Sequence, residues 1–153
     1  GIVSAALFLC VGVLYERMHT KRIDKFGGVV KVMPRFALMF MVFTMASVGL
    51  PATSGFVGEF LVLLGIFKDN KIVSALVATG VVLGAAYMLL LYKNVVYGEI
   101  KNPEVNHLKD LDRYEKLTLY PLALLAILYG VLPYLITNDI APSISLLLNS
   151  VTK

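Results

Sequence analysis

At 153 residues, with a mean hydropathy of +0.80, 58% hydrophobic residues and only 16% charged ones, the chain is too apolar for a soluble domain. It is long enough for about four or five membrane spans of roughly 20 residues each. The single cysteine, Cys10, lies in an apolar run, which excludes an intrachain disulfide and offers no metal framework, so we read it as packing. The net charge of +4 comes from basic loops beside apolar runs, a membrane pattern that does not require a nucleic-acid partner.

Gly1 to Tyr15 is apolar but too short to cross a bilayer, and its charges follow it where a signal peptide's would precede it. The run reads as the second half of a span, in a fragment that begins inside a helix. A polar segment, Glu16 to Arg35, follows with Arg17, Lys21, Arg22, Lys25, Lys31 and Arg35, and Gly27-Gly28 marks a turn. His19 in this loop reads as a solvated residue and stands as a secondary site candidate.

The next apolar run, Phe36 to Phe67, contains one charged residue, Glu59. As one continuous helix it would be about 48 Å long against a core of about 30 Å, and as two spans it would be too short. It fits one span built from two half-helices. Gly49, Pro51, Gly55 and Gly58 supply the break, while Thr53 and Ser54 can bond freed backbone groups. Glu59 is then expected in the first turn of the second half-helix, where backbone N–H groups and the helix dipole favour a carboxylate.

Lys68-Asp69-Asn70-Lys71 turns the chain back into Ile72 to Tyr92, an uncharged span with Gly80 and Gly84 at GxxxG spacing. Tyr87 is a second minor site candidate, and Tyr92 and Tyr97 read as interfacial aromatics. Lys93 to Lys116 forms a second polar loop, in which Asp112, Glu115 and Lys116 suggest a helix start with solvated charge pairs. His107 has no partner at metal-ligand spacing, and no metal or cofactor site is predicted in this chain. Leu117 to Ile136 reads as the last span, with Pro121 tolerated near its start and Gly130 and Pro133 loosening its end. In the tail 139–152, Ile140, Ile144, Leu147 and Val151 recur at helical spacing, which suggests an interfacial helix.

With each span crossing once, loops 16–35 and 93–116 share a side and hold 11 of the 14 lysines and arginines. The positive-inside rule places these loops in the cytoplasm and the C-terminus on the outer side. Three roles for Glu59 remain open on the residues alone. It is a proton carrier, since desolvation favours its neutral form and a half-helix N-terminus its charged form. It helps hold Na⁺ beside unwound carbonyls. Or it pairs with a base on a helix outside this chain, offsetting an insertion cost of about 2.5–3.5 kcal/mol.

The stretch Leu50-Pro51-Ala52-Thr53-Ser54-Gly55-Phe56-Val57-Gly58-Glu59-Phe60 resembles the signature of the antiporter-like membrane subunits of respiratory complex I, NADH:quinone oxidoreductase. Ala5 to Gly12, Leu14 to Lys21 and Gly27-Gly28 resemble the helix and loop that precede it. Within the family the likeness is closest to the M-type branch, counterpart of mitochondrial subunit 4. The L-type and N-type branches and Mrp-type antiporter subunits tend to carry lysine where Glu59 stands. The resemblance implies an all-α transmembrane bundle, the C-terminal part of a fourteen-helix antiporter-like subunit in a bacterial inner membrane. It implies that Glu59 ends a proton half-channel. It also implies L-type and N-type membrane subunits and the lipid bilayer as partners, with NADH, FMN, iron–sulfur clusters and quinone held by other subunits. A Mrp-type cation/proton antiporter or a membrane-bound hydrogenase is the alternative.

Overall fold

The computed structural model describes residues 1–100 and 102–151, the last seven of them by backbone only. Regular structure among the described residues is helical: α1 (Ile2–Met18), α2 (Pro34–Ser47), α3 (Ser54–Asp69), α4 (Lys71–Val96), α5 (Arg113–Val131) and α6 (Tyr134–Val151). Short 3₁₀ turns at Ile23–Lys25, Val29–Lys31 and Pro103–His107 punctuate the two polar loops.

The core sits at the loop end of the bundle. Cys10, Val13 and Leu14 of α1 meet Phe36, Phe40 and Phe43 of α2, with Val95 and Val96 of α4 and Leu119 and Ala123 of α5. Loop residues Phe26, Val29, Val105, Leu108 and Leu111 close this core from the polar side. Tyr92, expected at a lipid interface, is instead 5% exposed. Its hydroxyl donates to the Ala37 carbonyl at 3.1 Å and its ring lies 5.5 Å from that of Phe40. A buried phenol is admitted because its O–H finds this partner. Tyr97, by contrast, is half exposed.

Two acidic residues of the second loop fix helix starts. Asp110 accepts from the backbone N–H groups of Arg35 (3.0 Å) and Phe36 (3.1 Å), so it caps α2 from about 75 positions away. Glu115 closes a capping box with Asp112 and also takes Arg17 in a two-pronged pair, at 2.7 and 2.8 Å. The charge pairs expected here to be solvated therefore bind α1 to α5. Arg17 adds hydrogen bonds to the carbonyls of Lys109 and Val13, both at 2.9 Å. Its guanidinium holds the Glu115 carboxyl below the usual carboxylate range.

Beyond this core α3 packs along α4 and α5. α4 is the one helix among the described residues long and apolar enough to cross a membrane unaided. Between α3 and α4 stands only Asn70, whose Oδ1 accepts from Ile72 N (3.0 Å) and Val73 N (3.2 Å). The GxxxG face finds no mate among the described residues: a Cβ at Gly80 would meet nothing within 4 Å, and at Gly84 only Tyr87.

The expected last span, 117–136, differs in three ways. α5 begins at Arg113, which puts Pro121 in the helix interior, where its ring removes one ladder hydrogen bond. The helix stops at Val131, and α6 leaves at 65°. The tail is accordingly not a separate element but the continuation of α6, in which Ile140 and Ile144 are exposed. Leu147 and Val151 have side chains outside the described residues.

Candidate functional site

The run 36–67 is two helices, α2 and α3, joined by the six residues Val48 to Thr53. α2 ends because Gly49 takes a left-handed backbone, φ 78°. Gly49 N–H then reaches the Ala46 carbonyl (3.4 Å) and Leu50 N–H reaches Met45 (3.0 Å), the reciprocal closure of a Schellman motif. A tight turn follows: Pro51 occupies its first corner, Ala52 its second with φ 72°, and Thr53 N–H closes on the Leu50 carbonyl at 3.1 Å. That is the pattern of a type II turn, whose second corner ordinarily favours glycine. Thr53 is buried, and its hydroxyl donates to the same Leu50 carbonyl at 2.6 Å. Because that hydroxyl is turned back, no side chain caps the N-terminus of α3.

Glu59 stands in the second turn of α3, not in the first as expected, because the helix begins at Ser54. Its carboxyl folds back over the break: a Cβ placed on Gly49 would stand 2.5 Å from Glu59 Oε2. Gly49 thus provides both the left-handed corner and the clearance for the carboxyl. Gly55 has a comparable steric reason, since a Cβ there would overlap the Ala46 carbonyl of α2. Gly58 has none, as its Cβ would enter open space.

The carboxyl opens onto a cavity of about 500 Å³, lined by Ser47, Ser54, Gly55, Tyr129, Ile136 and the first turn of α1. Among the described residues no protein group hydrogen-bonds the Glu59 side chain, and the salt bridges, Arg17–Glu115 and Arg22–Asp24, involve other residues. Ser54 and Gly55 bring the uncapped start of α3 to the same space. A cavity this large holds several waters, and it offers them carboxylate, hydroxyl and backbone partners.

The two minor candidates lie elsewhere. His19 is exposed at the C-terminal cap of α1, about 22 Å along that helix from the residues that line the cavity. Tyr87 projects from mid-α4 and is 62% exposed. Tyr129, which lines the cavity, was missed in the sequence, and its neighbour Gly130 was read as loosening the end of the span. A Cβ on Gly130 would collide with the backbone of Ala52 and Thr53, so α5 touches the break itself rather than loosening there. The available signal was a lone glycine in an apolar helix, which flags close backbone approach. Among the described residues no group of three or more His, Cys, Asp or Glu side chains is disposed to hold a metal.

Comparison with known proteins bears on the same stretch. The family model for the transmembrane part of NADH:quinone oxidoreductase and Mrp antiporter proteins matches residues 1–85. NADH-quinone oxidoreductase subunit M of Rickettsia typhi is 55% identical over 138 residues, 90% of this chain and 28% of the relative. The subunit M of Rhodobacter capsulatus is 52% identical over 145 residues, 95% of this chain and again 28% of the relative. NADH-ubiquinone oxidoreductase chain 4 of Marchantia polymorpha is 45% identical over 145 residues, covering 95% and 29%. The chain spans less than a third of the length of these curated relatives. In the solved respiratory complex I from Thermus thermophilus with bound NADH, one chain superposes with a TM-score of 0.81 at 34% identity, covering 88% of this chain and 28% of that one. With more than half its length matched, and with the broken helix and its glutamate inside the match, the chain belongs to the NADH:quinone oxidoreductase/Mrp antiporter transmembrane family.

Proposed function

We propose that this chain forms the outward part of a proton path in a membrane subunit of NADH:quinone oxidoreductase, with Glu59 as the group that takes and releases the proton. The observation that carries this is one arrangement. The lone charged side chain of the 36–67 run stands at a helix break, faces a cavity, and has no hydrogen-bonding protein partner among the described residues. A carboxyl in a membrane span is costly to leave alone, so it either pairs with a base or serves a function. An unpaired one beside space for water can exchange its proton with that water.

In this reading Pro51, Thr53, Ser54 and Gly55 shape the break, Gly58 inside α3 has no part in it, and redox chemistry takes place in other subunits. NADH, FMN, iron–sulfur clusters and quinone would be held there. L-type and N-type subunits are the expected neighbours. The basic loops, 16–35 and 93–116, would face the cytoplasm and the C-terminus the outer side.

The test is proton pumping by membrane vesicles carrying the full-length protein with Glu59→Gln, measured beside NADH:quinone turnover. Loss of pumping in an assembled complex, partly restored by Glu59→Asp, is the expected outcome. Wild-type pumping by Glu59→Gln would sink the assignment. Transport that requires sodium would reassign Glu59 to a cation site.

A further inference from the structure

The break is held from the side by α5. A hydrogen, and nothing larger, at the Gly130 Cα allows that helix to rest on Ala52 and Thr53, because an added Cβ would run into the Ala52 carbonyl group and the Thr53 Cα. Ala52 has a left-handed backbone at φ 72°, a conformation that an L-residue other than glycine keeps only where its surroundings enforce it. Gly130 is part of that enforcement. The residue before it, Tyr129, is half-buried and lines the cavity onto which Glu59 opens. α5 ends one residue later, before the 65° bend to α6.

We propose that Gly130 is a positioning residue for Glu59, and that Tyr129 is the polar wall of the Glu59 cavity that this contact sets in place. The proposal rests on Glu59 being the proton carrier. Gly49, over which the carboxyl lies, and Ala52, on which α5 rests, belong to the same six-residue break. A methyl group pushed against Ala52 therefore shifts the floor beneath the carboxyl. Tyr129 brings a phenol, able to donate and to accept a hydrogen bond, to the wall of the cavity onto which Glu59 opens.

The experiment reads Glu59 directly. In the assembled full-length complex, a hydrophobic carbodiimide is used to modify Glu59, and the adduct is followed by mass spectrometry across pH. The reagent requires the protonated acid: the carboxyl proton passes to a carbodiimide nitrogen as the carboxyl oxygen bonds to the central carbon. Gly130→Ala and Tyr129→Phe should each change the labelling rate at fixed pH by about threefold or more and move its pH profile. Gly65→Ala, where a Cβ meets nothing within 4 Å, should leave both as in the wild type. Tyr129→Phe adds no bulk, so it decides the matter even where Gly130→Ala fails to assemble. Wild-type labelling in assembled Tyr129→Phe overturns the proposal, and so does wild-type labelling in assembled Gly130→Ala. A Glu59→Gln protein that pumps normally would instead remove the proton-path assignment and leave the labelling contrast as it stands, so the two failures are separable.

Discussion

The two helices of the 36–67 run, α2 and α3, are similar in length and composition but opposite in packing. α2 buries seven of its 14 residues, including Phe36, Phe40 and Phe43, whereas α3 buries none of its 16. Phe60, Leu61, Val62 and Phe67 of α3 are each about half exposed. In water such a face would be untenable; in a membrane it is covered by lipid tails or by helices outside this chain. α2 is thus a fixed post in the loop-end core, held by Asp110 at its start, while α3 lies along α4 and α5 without enclosing any of its own side chains. The carboxyl belongs to the less embedded half but rests on the last residues of the embedded one.

That contrast can be tested by substitution, with thermal stability of the detergent-solubilised complex as the common readout. Phe43→Ala, in the fully buried core, should cost about 3–5 kcal/mol. Gly55→Ala, which drives a methyl group into the Ala46 carbonyl, should cost about 3 kcal/mol and fail at the junction between the halves. A near-neutral result there would mean that the two half-helices are not in register as described. Glu115→Gln should cost about 2 kcal/mol by loosening the α1–α5 tie beneath α2. The wild-type tie acts fully above the unfolded carboxyl value of about 4.3, and it is lost as pH falls through the lowered folded value. The Glu115→Gln deficit should therefore shrink on acidification; a deficit that grew would contradict the pairing. Phe60→Ala, on the half left exposed in this chain, should cost less than about 1 kcal/mol, and a loss as large as that of Phe43→Ala would mean that helices outside this chain cover α3.

What could be read from the sequence was what depends on neighbours in the chain. A run too long for one helix and too short for two, with a proline flanked by glycines, was enough to place the break between α2 and α3. The offset by one turn came from the start of α3, which depends on where Thr53 sends its hydroxyl. Contacts distant in sequence were not legible. Asp110 caps a helix about 75 residues away and Arg17 meets Glu115 about 98 residues away. No local pattern distinguishes either from the other charges of its loop. Gly130 and Pro121 were visible as residues but were assigned to fraying and to a first turn. Their roles depend on α5 beginning four residues earlier than hydropathy suggests and on what lies across from its end.

Asn70 leaves no slack between α3 and α4, and this restricts how the chain can vary. One residue inserted between Asp69 and Lys71 would turn α4 by about 100° about its axis relative to α3. Ser74, which faces the Leu63 carbonyl, and Tyr92, which bonds Ala37, would then be aimed away from their partners. Substitutions on the outer faces of both helices leave this phase intact. Divergence at this corner should therefore proceed by exchange of side chains while residue count is held, and length variants should collect in the polar loops, where a change of spacing rotates nothing.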